Sequence, residues 1–205
     1  FFKMLAKMRD ACTSAAQVKE ILRIRTDKVA RERLLETYEA LVDFMRLADV
    51  HLAMNNPEAA LLSMRKAVAI NPGSARTQGR LFGMQLRSGQ VNESLTMAHE
   101  LQKKQPAHSL GWVMEGDVLR ARKDNEGALK AYKTALAKTQ PSLAAVMHHN
   151  LLVAMGRGDE AQRFATTWMS ANPKDPALPT QVADQALARK DYAAAEAGYR
   201  RVIEI

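Results

Sequence analysis

One cysteine, Cys12, stands among 205 residues, so no intrachain disulfide forms and a disulfide-stapled scaffold is excluded. Aromatic residues are only 5% of the chain, which suits helix-on-helix packing better than a sheet core. No apolar run approaches the roughly 18–20 residues that span a membrane. No signal peptide is legible: Phe1 and Phe2 lead straight into charged residues, and Ala11-Cys12 has no apolar run before it to make a lipoprotein cleavage site. The chain opens without Met and stops at Ile205 inside an apparent helix, so it reads as part of a longer protein.

Signatures of chemistry are also missing. There is no P-loop, no dinucleotide-type glycine fingerprint, no G-x-S-x-G and no zinc-type cysteine spacing. The histidines are His51, His99, His108, His148 and His149. Adjacent histidines on a helix point about 100° apart, so His148 and His149 do not converge on a metal as an i, i+4 pair would. Glu115 and Asp117 are neighbours in sequence but fall on different helix faces, which leaves a paired acid–base role unsupported. No catalytic, cofactor or metal residue is assigned.

What the chain has is alanine, leucine and methionine within a 47% hydrophobic composition, and a formal net charge of +8. Residues 1–36 carry nine Lys/Arg against five Asp/Glu, so the basic excess is densest at the N-terminus. An acidic partner, an anionic membrane surface or nucleic acid fits that excess, and so do solvated lysines and arginines on helix backs.

A repeat of about 34 residues organises the rest. Prolines fall at Pro72, Pro106, Pro141 and Pro173, with gaps of 34, 35 and 32 residues. A ladder of small residues runs Ala60, Ser94, Ala128, Ala161, Ala195, spaced 34, 34, 33 and 34. Four residues after each comes Met64, Ala98, Tyr132, Ala165 or Tyr199. Turn-forming clusters alternate with these ladders: Asn55-Asn56-Pro57, Ser88-Gly89, Lys123-Asp124-Asn125, Gly156-Arg157-Gly158 and Lys190-Asp191. Each repeat is then two antiparallel helices, and the small residues let their backbones approach. One such hairpin cannot bury its apolar face alone; stacking on the next completes the core. Trp112, Trp168, Tyr132, Tyr199 and His149 occupy repeat-core positions and are assigned to packing.

The ladder resembles the tetratricopeptide pattern W-x2-L-G-x2-Y, A-x3-F, P, and its best copy shows Trp112, Gly116, Ala128, Tyr132, Ala135 and Pro141. The resemblance implies an all-α fold, a TPR-type α-solenoid in which helix pairs wind into a right-handed superhelix. Five repeats are expected over 41–74, 75–108, 109–141, 142–175 and 176–205, after an N-terminal helical cap over 1–40, for which a degenerate preceding repeat is the alternative. Within that cap, Ser14 and Gln17 have capping-box spacing before a helix from about Ala15 to Arg25. From about residue 28 the helical spacing of Val29, Leu34, Leu35, Tyr38, Leu41, Val42 and Met45 predicts one long helix running into the first repeat.

In this family the first helix of each repeat lines an inner groove that takes peptides. By register the groove-facing residues here are Arg46, Asp49, Arg76, Arg80, Arg87, Asp117, Arg120, Asn150 and Asp184. Arginines suit carboxylate or phosphate partners. They are equally placed to pair with Asp49 and Asp117 of neighbouring repeats. The Lys/Asn/Asn/Lys/Arg clamp of chaperone-binding members is matched only at Asn150, so that partner is not expected.

From about Leu41 the chain is also similar to a bacterial subfamily, the tetratricopeptide lipoprotein of exopolysaccharide and exosortase (PEP-CTERM) systems. The stretches that carry this are Arg46-Leu47-Ala48-Asp49-Val50, Glu115-Gly116-Asp117-Val118, Trp168 with Asn172-Pro173-Lys174-Asp175, and Asp191-Tyr192-Ala193-Ala194-Ala195-Glu196. The resemblance implies an envelope scaffold at the periplasm or outer membrane, lipid-anchored outside this segment, that binds a protein or peptide partner and breaks no bond. A cytoplasmic peptide-binding adaptor is the alternative. Nucleic acid is not expected, because the groove has few aromatics for base stacking.

Overall fold

The computed structural model describes the backbone from Lys28 to Ile205. The expected capping box at Ser14 and Gln17, the helix over 15–25, and Cys12 lie outside the described residues. Ten α-helices follow, with no β-strand among the described residues: α1 (Lys28–Ala53), α2 (Pro57–Ile70), α3 (Ala75–Arg87), α4 (Val91–Lys104), α5 (Leu110–Ala121), α6 (Asn125–Leu136), α7 (Ser142–Ala154), α8 (Gly158–Ala171), α9 (Ala177–Ala188) and α10 (Tyr192–Ile203). The long helix expected from about residue 28 is α1. Two compact units divide between Met84 and Gln85.

The tight turns inside the hairpins show why the helices stop where they do. Each turn holds one residue in the left-handed region: Asn55, Gly89, Lys123, Gly156 and Lys190, with φ between 56° and 75°. Glycine and asparagine adopt that conformation at little cost, and lysine does not. The residue that follows starts the next helix. Asn56, Asp124 and Asp191 accept the backbone N–H three residues on, at 3.1, 2.9 and 3.1 Å. Each such cap satisfies an otherwise unpaired donor and contributes about 1 kcal/mol.

In the first unit, α1 and α2 form an antiparallel hairpin whose contact is made by Leu41 and Ala48 on one side and Ala60, Leu61, Met64 and Ala67 on the other, all buried. The first turns of α3 follow through the Asn71–Ser74 turn. Ser74 Oγ accepts the Thr77 N–H at 3.3 Å, and Thr77 Oγ1 donates back to the Ser74 carbonyl at 3.1 Å, so Thr77 is fully buried without an unpaired hydroxyl.

In the second unit, hairpins stack in chain order. Helix α4 lies on α5, α6 on α7 and α8 on α9, while α5 touches α7 and α7 touches α9. The core runs through these contacts: Val113, Ala128, Leu129, Tyr132, Ala144, Leu151, Leu152 and Ala161 form one cluster drawn from four consecutive helices. Ala145, Ala165 and Leu178 continue it toward α9. The ladder residues Ser94, Ala128, Ala161 and Ala195 are all buried, as the small-residue spacing predicts. At Gly116 the helices approach closely: a Cβ there would overlap the Tyr132 ring.

Two successive connections are also stitched to each other. Thr139 donates its N–H to the Ala107 carbonyl at 2.8 Å, Ser109 donates its N–H to the Thr139 carbonyl at 3.1 Å, and Ser109 Oγ donates to the Gln140 carbonyl at 2.6 Å. Buried polar groups of the loops are thereby paired.

Candidate functional site

The first unit contains a groove of about 660 Å³ between α1, the end of α2 and the start of α3. Leu41, Val42, Met45 and Ile70 supply its apolar lining; Leu41 is buried and the other three are half-buried. Arg46, Asp49, Arg76 and Arg80 supply charge, and Thr37, Asn71, Ser74 and Thr77 complete the lining. The register explains the composition. Leu41, Val42, Met45, Arg46 and Asp49 recur at three- and four-residue steps, so one face of α1 changes from apolar to charged as the helix proceeds.

Four of the nine residues assigned to a groove from the sequence therefore meet here. They are not equivalent. Arg80 is paired with Asp49 across the groove. Arg46 is exposed and lies 3.8 Å from Asp43, one helical turn away. Arg76 is exposed and has no ion-pair partner among the described residues. Arg87 is exposed in the last turn of α3 and is not part of the lining.

The remaining four belong to the second unit and are held by internal contacts. Tyr132 donates its phenol O–H to Asp117 at 2.6 Å, and Arg120 stands 3.8 Å from the same carboxylate. Tyr199 donates to Asp184 at 2.5 Å. Gln185 Nε2 donates to the Asn150 side-chain oxygen at 2.7 Å, linking α9 to α7. Asp49, Asp117, Asn150 and Asp184 occupy one repeat position, spaced 68, 33 and 34 residues, and Gly83 fills the gap. At all four, the side chain is spent on the repeat or its neighbour. Burial pushes the Asp117 carboxyl up, while the Tyr132 hydroxyl and then Arg120 pull it down. Burial, the Asp117 charge and the hydrogen bond together push the Tyr132 phenol far above its ordinary value.

Residues 44–74 match the model of the tetratricopeptide repeat family. No curated protein sequence matches the chain. Among solved structures, a thermophilic tetratricopeptide-repeat protein of Thermus thermophilus is similar over 80% of this chain and 90% of its own, at 20% identity and a TM-score of 0.53. Yeast Tom70 is similar over 90% of this chain and 41% of its own, at 16% identity and a TM-score of 0.56. PilF of Pseudomonas aeruginosa is similar over 82% of this chain and 78% of its own, at 19% identity and a TM-score of 0.50.

The chain has the tetratricopeptide-repeat fold.

Tyr132 follows Ala128 by four residues and packs between the two helices of its own hairpin, against Gly116 and Asp117. Tyr132 does so with 1% of its surface exposed. His149 is likewise buried, as its repeat position predicts, and His148 packs on the Phe164 ring at 4.6 Å. Burial lowers both imidazoles. Lys133 and Arg157 depress His148 further. At His149 a hydrogen bond with Asn150 opposes burial, and Arg189 adds to it. Trp168 donates its indole N–H to Asp175 at 3.1 Å, and Lys138 sits 5.1 Å from the centre of the Trp112 ring. Glu115 points to Gln102, which donates to it at 2.7 Å, while Asp117 points to Tyr132, so these two carboxylates do face apart. No cluster of three metal-binding side chains, and no helix long and apolar enough to cross a membrane, occurs among the described residues.

Arg46, Asp49, Arg76 and Arg80 share this lining with residues that carry no groove assignment in the sequence. Leu41, Val42 and Met45 were legible only as helix positions, because their spacing does not say which neighbour covers them. Asn71 and Ser74 belong to a turn-forming cluster of the sequence, Asn71-Pro72-Gly73-Ser74, and with Ile70 they enter the groove because that α2–α3 turn folds back toward α1.

Proposed function

We propose that this protein is a non-catalytic interaction scaffold that receives a segment of a partner protein in the α1–α3 groove. The observation that carries the reading is the groove's make-up: an apolar lining of half-buried side chains beside exposed guanidinium groups. A pocket of roughly 300–1,000 Å³ with apolar walls and a few polar groups is built to bind. The repeat architecture supports the same reading, because stacked hairpins present side chains on a rigid frame without needing to move. The biological setting we propose is a bacterial envelope system for exopolysaccharide assembly or export. It rests on the stretches of sequence similar to the PEP-CTERM-associated lipoprotein subfamily, and an acidic partner fits the basic charge.

Affinity capture with the full-length protein tests the scaffold reading, comparing wild type with Arg76→Glu/Arg80→Glu. Loss of a specific partner in the double variant, with the helical signal unchanged, is the expected result. Equal recovery by both proteins removes the groove from the interaction. The setting is tested apart from it: the full-length gene product should carry a lipid-attachment cysteine after a signal peptide and fractionate with the envelope. A soluble cytoplasmic fraction supports the adaptor alternative.

A further inference from the structure

We infer that the α1–α3 groove selects an acidic, leucine-type segment, in which a large apolar side chain enters between Val42, Met45 and Ile70 while flanking carboxylates meet Arg76 and Arg46. This deepens the scaffold reading and rests on it. Three arginines and one aspartate line the groove. Asp49 is already engaged by Arg80, so that pair is internally neutral. The charge left for a ligand is therefore positive and sits on Arg76, which has no ion-pair partner among the described residues, and on Arg46. Asp43 competes weakly for Arg46: the two are 3.8 Å apart, with their side chains 73% and 77% exposed. Exposed pairs of this kind are worth about 0–1 kcal/mol, so a carboxylate arriving in a less solvated groove displaces Asp43 without much penalty. The apolar lining requires the second half of the motif, because a purely acidic peptide leaves Val42, Met45 and Ile70 facing water.

Charge also decides between occupants. The chain's own residues 1–27 carry six Lys/Arg against three Asp/Glu, and the whole chain has a net charge of +8. Neither that segment nor a second copy complements a basic groove as an acidic partner does.

Fluorescence anisotropy of labelled peptides on the full-length protein tests the inference. The probes are an acidic-apolar hexapeptide (Asp-Glu-Leu-Leu-Asp-Glu), its serine analogue (Asp-Glu-Ser-Ser-Asp-Glu), its lysine analogue (Lys-Lys-Leu-Leu-Lys-Lys), and a peptide of residues 1–27. The first should bind at least about tenfold tighter than the other three, a gap of about 1.4 kcal/mol. Its affinity should fall about five- to tenfold in Arg76→Ala and less in Arg46→Ala. It should weaken with salt and be unchanged in Lys130→Glu, an exposed site on α6. Equal affinity for the serine analogue overturns the apolar half. Tighter binding of the lysine analogue or of residues 1–27, or indifference to Arg76→Ala, overturns the acidic half. No binding of any probe at millimolar concentration overturns the inference as a whole. The scaffold reading fails separately, when full-length protein captures no partner that Arg76→Glu/Arg80→Glu loses.

Discussion

Replacing Tyr132 by phenylalanine removes one oxygen from the middle of the α5–α6 hairpin, and the second unit should lose about 1–3 kcal/mol at pH 7. The ring is 1% exposed and phenylalanine fills the same space, so packing against Gly116 is kept. What is lost is the O–H donated to Asp117 at 2.6 Å. A hydrogen bond to a charged group contributes about 1.5–3 kcal/mol. Arg120, 3.8 Å from the carboxylate and about half exposed, recovers part of that at the level of a surface pair, which lowers the bound to about 1 kcal/mol. The effect also has a pH signature. The hydroxyl favours the ionised carboxylate, so its removal raises the Asp117 pKa beyond the upward shift that burial already causes. A carboxyl whose folded pKa is raised adds stability as it protonates, so the deficit of the variant should shrink as pH falls below neutrality. Trp112 and Trp168 both lie in the second unit, so denaturation followed by tryptophan fluorescence reads this region locally; stacked repeats need not unfold as one. NMR titration of Asp117 supplies the pKa. A loss under about 0.5 kcal/mol, the scatter of an ordinary surface substitution, together with an unmoved Asp117 titration, would refute the reasoning.

Three further outcomes follow from the same geometry. Gly116→Ala should destabilise by about 1–3 kcal/mol or more, since the new methyl overlaps a ring that is itself enclosed; Gly79→Ala, with nothing within 4 Å of its added methyl in the interior of α3, should instead stabilise by about 0.5–1 kcal/mol, and thermal melts of the two variants should move in opposite directions. Lys123→Gly relieves a left-handed lysine at φ 64° and should raise the melting temperature modestly, by up to about 1 kcal/mol of stability. His148 and His149 have folded pKa values below the ordinary value near 6.5, so their contribution is fully present above that pH and is lost as pH falls toward the folded values, with a slope of up to about 1.4 kcal/mol per pH unit for each. Denaturation midpoints between pH 7.5 and 5.5 should show that slope, and His148→Gln/His149→Gln should flatten it; an unchanged profile in the double variant counts against buried neutral imidazoles.

Much of the architecture was written in short-range pattern. Helix content, the hairpin turns at Asn55, Gly89, Lys123, Gly156 and Lys190, and the buried ladder from Ala60 to Ala195 follow from local rules: left-handed residues end helices, capping residues start them, and small residues recur where backbones meet. The turn and cap rules act within a few residues, and the ladder shows itself as a recurrence of about 34 residues, so a single sequence suffices to read them. Partner choice among polar side chains is different. Arg80 and Arg76 are one helical turn apart and chemically identical, yet Arg80 pairs with Asp49 and Arg76 does not. Asp117 and Asp184 are groove aspartates by register, yet each is held by a tyrosine of its own hairpin. Composition and spacing alone determined the repeat, its helices and the identity of the candidate charges. Which charges remain available to a partner was decided only when helices distant in sequence met, because a hydrogen bond requires two groups within about 3 Å and register specifies direction, not distance.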